Sequence, residues 1–142
     1  YAAVGEIFLS PLGIPCTPTP WGTLTAIDMD SGEMRWQIPL GQVKRFGVTV
    51  PASFGWGSPN IGGPMVTGSG LVFVAATLDE KIRALDVATG AELWQASLPF
   101  MGSAVPVTYE ADGRQFVVIA AGGTARVTDN LGATLVAFAL PE

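Results

Sequence analysis

The sequence contains no histidine and only one cysteine among its 142 residues. Without histidine, the chain offers neither an imidazole acid–base group nor the imidazole ligands that most zinc sites use. With one cysteine, it can form no internal disulfide bond. Cys16 lies between Pro15 and Pro18, and we expect it to be a packed thiol. The cysteine count leaves its redox state and the protein's compartment open.

Charge is also scarce, because only 13% of the residues are charged and the net charge is −5. The seven basic residues are scattered and form no basic stripe, so nucleic acid is not an expected partner. Segments 7–27 and 46–78 carry no charge. Their prolines, and the glycines of the second segment, would break a transmembrane helix. Tyr1 is neither an initiator Met nor part of a basic signal region, so the start resembles a cut end.

An internal repeat is the most informative feature that is present. The stretch 26–36, with Ala26, Asp28, Gly32 and Trp36, returns 58 residues later as 84–94, with Ala84, Asp86, Gly90 and Trp94. A repeat of this length indicates one supersecondary unit that was copied, and such a unit needs a neighbour to bury its apolar face. Aspartate and glycine in each copy favour a tight turn between two strands.

The patterns around the repeat predict strands joined by tight turns, and no convincing helix. Alternating residues favour strands at 21–28 and 34–38, and the apolar run 71–76 is typical of an inner strand that is buried on both faces. Segment 41–57 has no periodicity, and the run 54–60 is expected to be a long functional or connecting loop. Four-stranded antiparallel units in tandem are typical of a β-propeller. We therefore predict an all-β fold with a partial blade at 1–40, a full blade at 60–99 and a last partial blade at 103–141.

These units number about two and a half, whereas propellers close with roughly four to eight blades. One sheet edge and one blade face are therefore expected to be open at each end. Either the chain is part of a larger protein, or copies of it associate through the open faces. In both cases Trp36 and Trp94 are expected to serve core packing and blade docking. Asp28, Asp30 and Glu33 crowd one turn but lack the ligand spacing of a calcium loop.

The repeated pattern, together with a series of further motifs, resembles the pyrroloquinoline quinone (PQQ) dependent dehydrogenases, in particular the C-terminal part of the membrane-bound glucose, quinate and polyol dehydrogenases. The resemblance extends from about Ser10 to Glu142, and its motifs are 10–16, 20–24, 60–64, 73–79 and 115–123. It implies an eight-bladed propeller in the full-length protein, with tryptophan-docking motifs between the blades.

The resemblance also implies a function. The full-length protein would oxidise a sugar, polyol or cyclic hydroxy acid with PQQ and a calcium or magnesium ion, and would pass electrons to ubiquinone on the periplasmic side of the bacterial inner membrane. In this family the substrate hydroxyl gives its proton to a carboxylate while hydride passes to the quinone. The catalytic aspartate and the cofactor-contacting lysine are expected upstream of this chain, so the fragment alone is expected to be inactive.

Four residues match positions near the cofactor in that family. Asp79 follows the long inner strand, where a carboxylate could bind or tune a cofactor, although it could equally cap a turn before Glu80. Asn60, Gly62 and Gly63 match a loop at the cofactor face, where glycines let the backbone approach a flat ligand, although ordinary loop geometry explains them as well.

One position departs from the glucose dehydrogenase pattern. That branch usually has a histidine after the glycine pair, whereas this chain has Thr124 after Gly122 and Gly123. A neutral hydroxyl replaces imidazole neither as an acid–base group nor as a cation. This departure puts glucose as the substrate in doubt and favours another polyol, a cyclic hydroxy acid or an inactive relative. The alternative from another class is a non-enzymatic propeller that serves as a scaffold for protein assembly.

Overall fold

The computed structural model describes residues 8–11, 15–45 and 48–140. The beginning of the predicted first unit, part of the motif at 10–16 and the last two residues lie outside the described residues. Eleven strands and one short 3-10 turn, Ala52–Phe54, make up the regular structure of the described part, which confirms the predicted all-β class. None of its helical segments is long and apolar enough to cross a membrane.

The strands form antiparallel sheets of two, two, four and three strands. The first two-stranded sheet comprises β1 (Thr23–Ile27) and β2 (Met34–Pro39), and the second comprises β3 (Lys44–Arg45) and β4 (Val48–Thr49). The four-stranded sheet comprises β5 (Met65–Val66), β6 (Leu71–Val74), β7 (Lys81–Asp86) and β8 (Glu92–Ser97). The three-stranded sheet comprises β9 (Val107–Ala111), β10 (Arg114–Ala121) and β11 (Thr134–Ala139).

The two copies of the repeat form the same hairpin. Ala26 pairs with Trp36 across β1 and β2, Ala84 pairs with Trp94 across β7 and β8, and a register shift follows the alanine in both. Asp28 accepts two backbone N–H groups of its turn at 3.0 Å, and Asp86 accepts two at 2.8 and 2.9 Å.

These bonds favour the ionised carboxylates. The pKa of Asp28 lies below its usual range, chiefly because of the Arg35 side chain and then because of the turn amides. The pKa of Asp86 is lowered by the Thr89 hydroxyl and by backbone N–H groups. The repeated aspartate is therefore turn chemistry in both copies, as the sequence predicts.

The inner strands of the four-stranded sheet, β6 and β7, are covered on both faces, whereas β8 is largely exposed. Val72 and Val74 of β6 pack with Leu40 in a cluster that also includes Ile38 of β2. On the other face, Ile82 of β7 packs with Ile119 of β10. This sandwich explains why the run 71–76 lacks the alternation of a half-exposed strand.

The repeated tryptophans have different environments. Trp36 is half-buried, donates from Nε1 to the Val87 carbonyl at 3.0 Å and covers Gly90, where an added Cβ would lie 2.8 Å from the ring. Trp94 is 40% exposed and contacts Phe138 edge-on, with ring centroids 5.2 Å apart. Trp36 therefore docks one unit on the next. Trp94 contacts the following sheet but stays partly exposed, so it is less buried than the sequence predicts.

One expectation from the sequence is wrong. Cys16 is exposed rather than packed, because its proline-flanked segment runs along the surface. The aperiodic segment 41–57 contains β3, β4 and the 3-10 turn, which are too short to produce a periodic pattern, and residues 55–60 form no regular structure, in agreement with the predicted loop.

Candidate functional site

Four segments meet at one end of the sheets, and we call them the loop end: 58–63, 75–80, 101–103 and 122–130. The Ile61 N–H donates to the Ala76 carbonyl at 2.9 Å, and the Ala76 N–H donates to the Gly102 carbonyl at 2.8 Å. The Gly123 N–H donates to the Met101 carbonyl at 2.8 Å. Backbone hydrogen bonds thus connect the four segments. The four predicted site residues, Asn60, Gly62, Gly63 and Asp79, lie within these segments.

Asp79 lies in a buried polar cluster rather than at an open surface. Its side chain is 5% exposed and forms an ion pair with Arg83, which is 6% exposed. Thr77 donates from its hydroxyl to Asp79 Oδ1 at 2.6 Å, and the Gln42 backbone N–H donates to Oδ2 at 3.1 Å. Both carboxylate oxygens are therefore occupied within the protein. Such pairing compensates for the cost of burying the charge.

The same cluster joins the first unit to the second. Arg83 also donates from Nη1 to the Thr77 hydroxyl at 3.1 Å and from Nε to Glu92 at 3.2 Å. This contact between the two units requires glycine at position 41, because Gly41 has a φ of +73° and an added Cβ would lie 2.5 Å from the Thr77 side chain. A cavity of about 370 Å³ lies beside the contact between the two units, and its lining includes Gln42, Lys81, Arg83, Glu92 and Gln95.

Asn60 is the exposed polar side chain among the four predicted residues. Its Nδ2 donates to the Thr23 carbonyl at the long distance of 3.4 Å. Because that bond is at the limit of hydrogen-bonding geometry, the amide retains capacity for another partner.

The two loop glycines are close to neighbouring backbone and side chains. Gly62 has a φ of +138°, and an added Cβ would lie 3.1 Å from both the Ala76 Cβ and the Ser103 carbonyl oxygen. At Gly63 an added Cβ would lie 3.0 Å from Val105. Close packing within the protein is sufficient to explain both glycines.

Ser58 and Thr77 hold the segments of the loop end together, and the sequence patterns did not single them out. Both are fully buried, and Ser58 Oγ accepts the Leu78 N–H at 3.0 Å. That bond attaches the Asn60 loop to the segment that leads to Asp79. The only sequence signal was the position of two hydroxyl residues beside apolar runs, which many exposed loops share.

Thr124 begins the loop that departs from the glucose dehydrogenase pattern. Its carbonyl accepts the N–H groups of Val127 and Thr128 at 3.1 and 3.2 Å. The loop is held against the 75–80 segment by Asn130, whose Nδ2 donates to Glu80 at 2.6 Å. The altered loop is therefore part of the loop end.

The part of the chain that the structure describes contains no group of three or more carboxylate or thiol side chains that could hold a metal ion. Asp79 is already paired, so the described residues of the loop end do not fit a complete metal site. Of the four predicted site residues, Asn60 is the one whose polar side chain is exposed.

Comparison with known proteins identifies the family. Residues 1–117 match the β-propeller domain of the PQQ glucose/ethanol/alcohol dehydrogenases. The chain is 44% identical to a probable quinate dehydrogenase (quinone) of Xanthomonas campestris pv. juglandis and 41% identical to the quinoprotein glucose dehydrogenase of Escherichia coli (strain K12). Each alignment covers all of this chain and 18% of the relative.

Two further comparisons agree. The chain is 45% identical to the glycerol dehydrogenase large subunit of Gluconobacter thailandicus, with 92% of this chain and 18% of that protein covered. Among solved structures, the quinohemoprotein alcohol dehydrogenase of Comamonas testosteroni superimposes with a TM-score of 0.64 at 29% identity, over 91% of this chain and 18% of that one. The chain thus spans about a fifth of the length of these relatives. It belongs to the β-propeller family of the PQQ-dependent dehydrogenases, as its motifs predict.

Proposed function

We propose that this chain is the C-terminal part of a quinoprotein dehydrogenase that oxidises a polyol, sugar or cyclic hydroxy acid. The observation that carries the proposal is identity of 41–45% over nearly all of the chain with quinate, glucose and glycerol dehydrogenases. When bound, PQQ with calcium or magnesium supplies the two-electron acceptor for alcohol oxidation. Electron transfer to ubiquinone and a periplasmic location at the inner membrane are parts of the same proposal.

The loop end is the proposed contribution of this chain to the cofactor site. We infer that Asn60 borders the bound cofactor through its exposed amide, with the backbone at Gly62 and Gly63 beside it. The enclosed carboxylate of Asp79 supports a positioning role, since Thr77 and its neighbours tie it to the Asn60 loop. The catalytic aspartate and the cofactor-contacting lysine are proposed to lie in the remainder of the protein, and the chain alone is proposed to be inactive.

The remaining blades of the same protein are the proposed partners of the open surfaces. Within the described residues β11 pairs only with β10, so its other edge is unpaired. A groove of about 1070 Å³ lies between the second and third units and contains Trp94, Phe138 and Leu140, among others. A further strand of the full-length protein would satisfy the edge and cover these apolar groups. Without it, we expect the fragment to self-associate.

The proposal is tested with the full-length protein, loaded with PQQ and calcium or magnesium. Reduction of an artificial electron acceptor is measured with glucose, glycerol and quinate, and the protein without PQQ serves as the control. We expect PQQ-dependent oxidation of at least one of the three substrates. A folded, PQQ-loaded protein that oxidises none of them would instead support the non-enzymatic scaffold.

A further inference from the structure

The loop 123–131 is closed and internally bonded. At its base, the Gly132 N–H donates to the Gly122 carbonyl at 3.0 Å. Inside the loop, two N–H groups bind the Thr124 carbonyl, and the Asn130 N–H donates to the Thr128 hydroxyl at 3.0 Å. These bonds fix the backbone on both sides of Arg126, so the loop presents this side chain from a defined place.

The loop 123–131 is also connected to the Asn60 loop, through Ser103. Ser103 donates from its hydroxyl to the Gly123 carbonyl at 3.3 Å. The carbonyl oxygen of the same Ser103 is close to Gly62, where an added Cβ would lie 3.1 Å from it. Ser103 therefore lies between the loop that carries Asn60 and the loop that carries Arg126, and both loops border one end of the molecule.

Arg126 is an exposed cation without a partner among the described residues. The other basic side chains that the structure describes are engaged. Arg35 pairs with Asp28, Lys81 donates to Gln95, Arg83 pairs with Asp79, and Arg114 donates to the Leu140 carbonyl. Asp129 lies in the same loop as Arg126, yet it forms no ion pair with it.

The chemistry of an unpaired guanidinium at this place selects for an anion. Guanidinium groups bind carboxylates through two parallel hydrogen bonds, and they stay charged at any working pH. Thr124 provides only a neutral hydroxyl, so Arg126 is the cation that the altered loop contributes, and Asp129 of the same loop forms no ion pair with it. A neutral sugar or polyol has nothing that would pair with it.

We propose that Arg126 binds the carboxylate of the alcohol substrate, so that the enzyme prefers a cyclic hydroxy acid to neutral sugars and polyols. This inference rests on the proposed function and narrows its substrate class. Arg126 touches the carboxylate and not the reacting hydroxyl. Its contribution is therefore to binding, and we expect it in KM rather than in kcat.

The test compares Arg126→Gln with the wild type in the full-length, PQQ-loaded enzyme. Steady-state kinetics are measured with quinate and with glycerol. We expect KM for quinate to rise about 10- to 100-fold, as for the loss of a charged hydrogen bond, while kcat with quinate and kcat/KM with glycerol stay unchanged. Arg126→Lys keeps the positive charge but cannot form two parallel hydrogen bonds, so we expect a smaller rise in KM for quinate. Arg35→Gln removes an arginine from the first hairpin and is the matched control, with no change expected.

A binding measurement separates this inference from the proposed function. Cyclohexanecarboxylate carries the carboxylate but no hydroxyl to oxidise, and calorimetry gives its affinity for the full-length wild type and for Arg126→Gln. We expect at least tenfold weaker binding to the variant. Equal affinities would overturn the role of Arg126, whether or not the protein oxidises any alcohol. Equal losses with quinate and glycerol would also overturn it, because they would indicate a structural role.

Discussion

At the scale of single residues, burial decides what the carboxylates of this chain can do. Asp28 and Asp79 each pair with an arginine. The Asp28 pair lies on the exposed hairpin turn, where solvent screens it. The Asp79 pair is enclosed, so each partner depends on the other for the compensation of its charge.

We predict that Asp79→Asn destabilises the protein much more than Asp28→Asn. Removing the Asp79 charge leaves the buried Arg83 guanidinium with only the more exposed Glu92 as a counter-charge, and breaking a buried pair in this way costs about 3–5 kcal/mol. The Asp28 variant loses a screened pair and should change little. Urea denaturation of the two full-length variants, followed by circular dichroism, measures the difference. Similar losses in both would show that the Asp79 pair is not effectively buried.

At the scale of elements, the docking of one hairpin on the next depends on a tryptophan and a glycine. The Trp36 ring covers Gly90, which lies in the turn between β7 and β8 and has a φ of +73°. The residue must therefore tolerate a left-handed backbone and also leave room for the ring. Only glycine satisfies both requirements without strain.

We predict that Gly90→Ala destabilises the protein more than Gly113→Ala. Gly113 has nearly the same φ, +74°, but an added Cβ there meets nothing within 4 Å. The backbone strain is therefore matched, and the difference isolates the collision with Trp36, which we expect to cost about 1–3 kcal/mol. Thermal and urea unfolding of the full-length variants measure it. Equal destabilisation would mean that the ring moves aside at no cost.

These two elements show how far sequence patterns reach. The offset between the copies predicted the hairpins, their turns and the docking role of Trp36, because periodicity and turn chemistry are local. The pattern did not distinguish Trp94 from Trp36. The surroundings of a docking tryptophan come from the next unit along the chain. The three-stranded sheet offers Phe138 to Trp94, where the four-stranded sheet offers Gly90 to Trp36.

The candidate site was predictable only in part. The resemblance selected Asn60, Gly62, Gly63 and Asp79, and all four lie at the loop end. It did not reveal that Arg83 and Thr77 enclose Asp79, since those contacts depend on how the strand ends fold back on one another. Whether the four residues meet a cofactor stays a prediction.

At the scale of the whole molecule, the open surfaces indicate what surrounds this chain. Gly32 occupies the same place in the first hairpin as Gly90 in the second, and an added Cβ there would meet nothing within 4 Å. If a preceding blade docks as the first unit docks on the second, its tryptophan covers Gly32 in the full-length protein.

We therefore predict that Gly32→Ala destabilises the full-length protein as much as Gly90→Ala does. The physical reason is the same collision, now with a ring from the preceding blade. The unfolding experiments described for Gly90 provide the measurement and the Gly113→Ala reference. A loss no larger than that of Gly113→Ala would contradict the presence of a docked blade on this face.

Patterns in the sequence were enough to predict the repeated unit, the all-β class, the turn chemistry of Asp28 and Asp86, and the family. Each of these follows from residues that are close in the chain or from their order along it. The packing of the sheets was needed to show that Asp79 is enclosed, that Cys16 is exposed and that Arg126 is an exposed cation without a partner among the described residues. The reason is that burial and pairing depend on partners far away in the sequence, which come together only when the sheets pack.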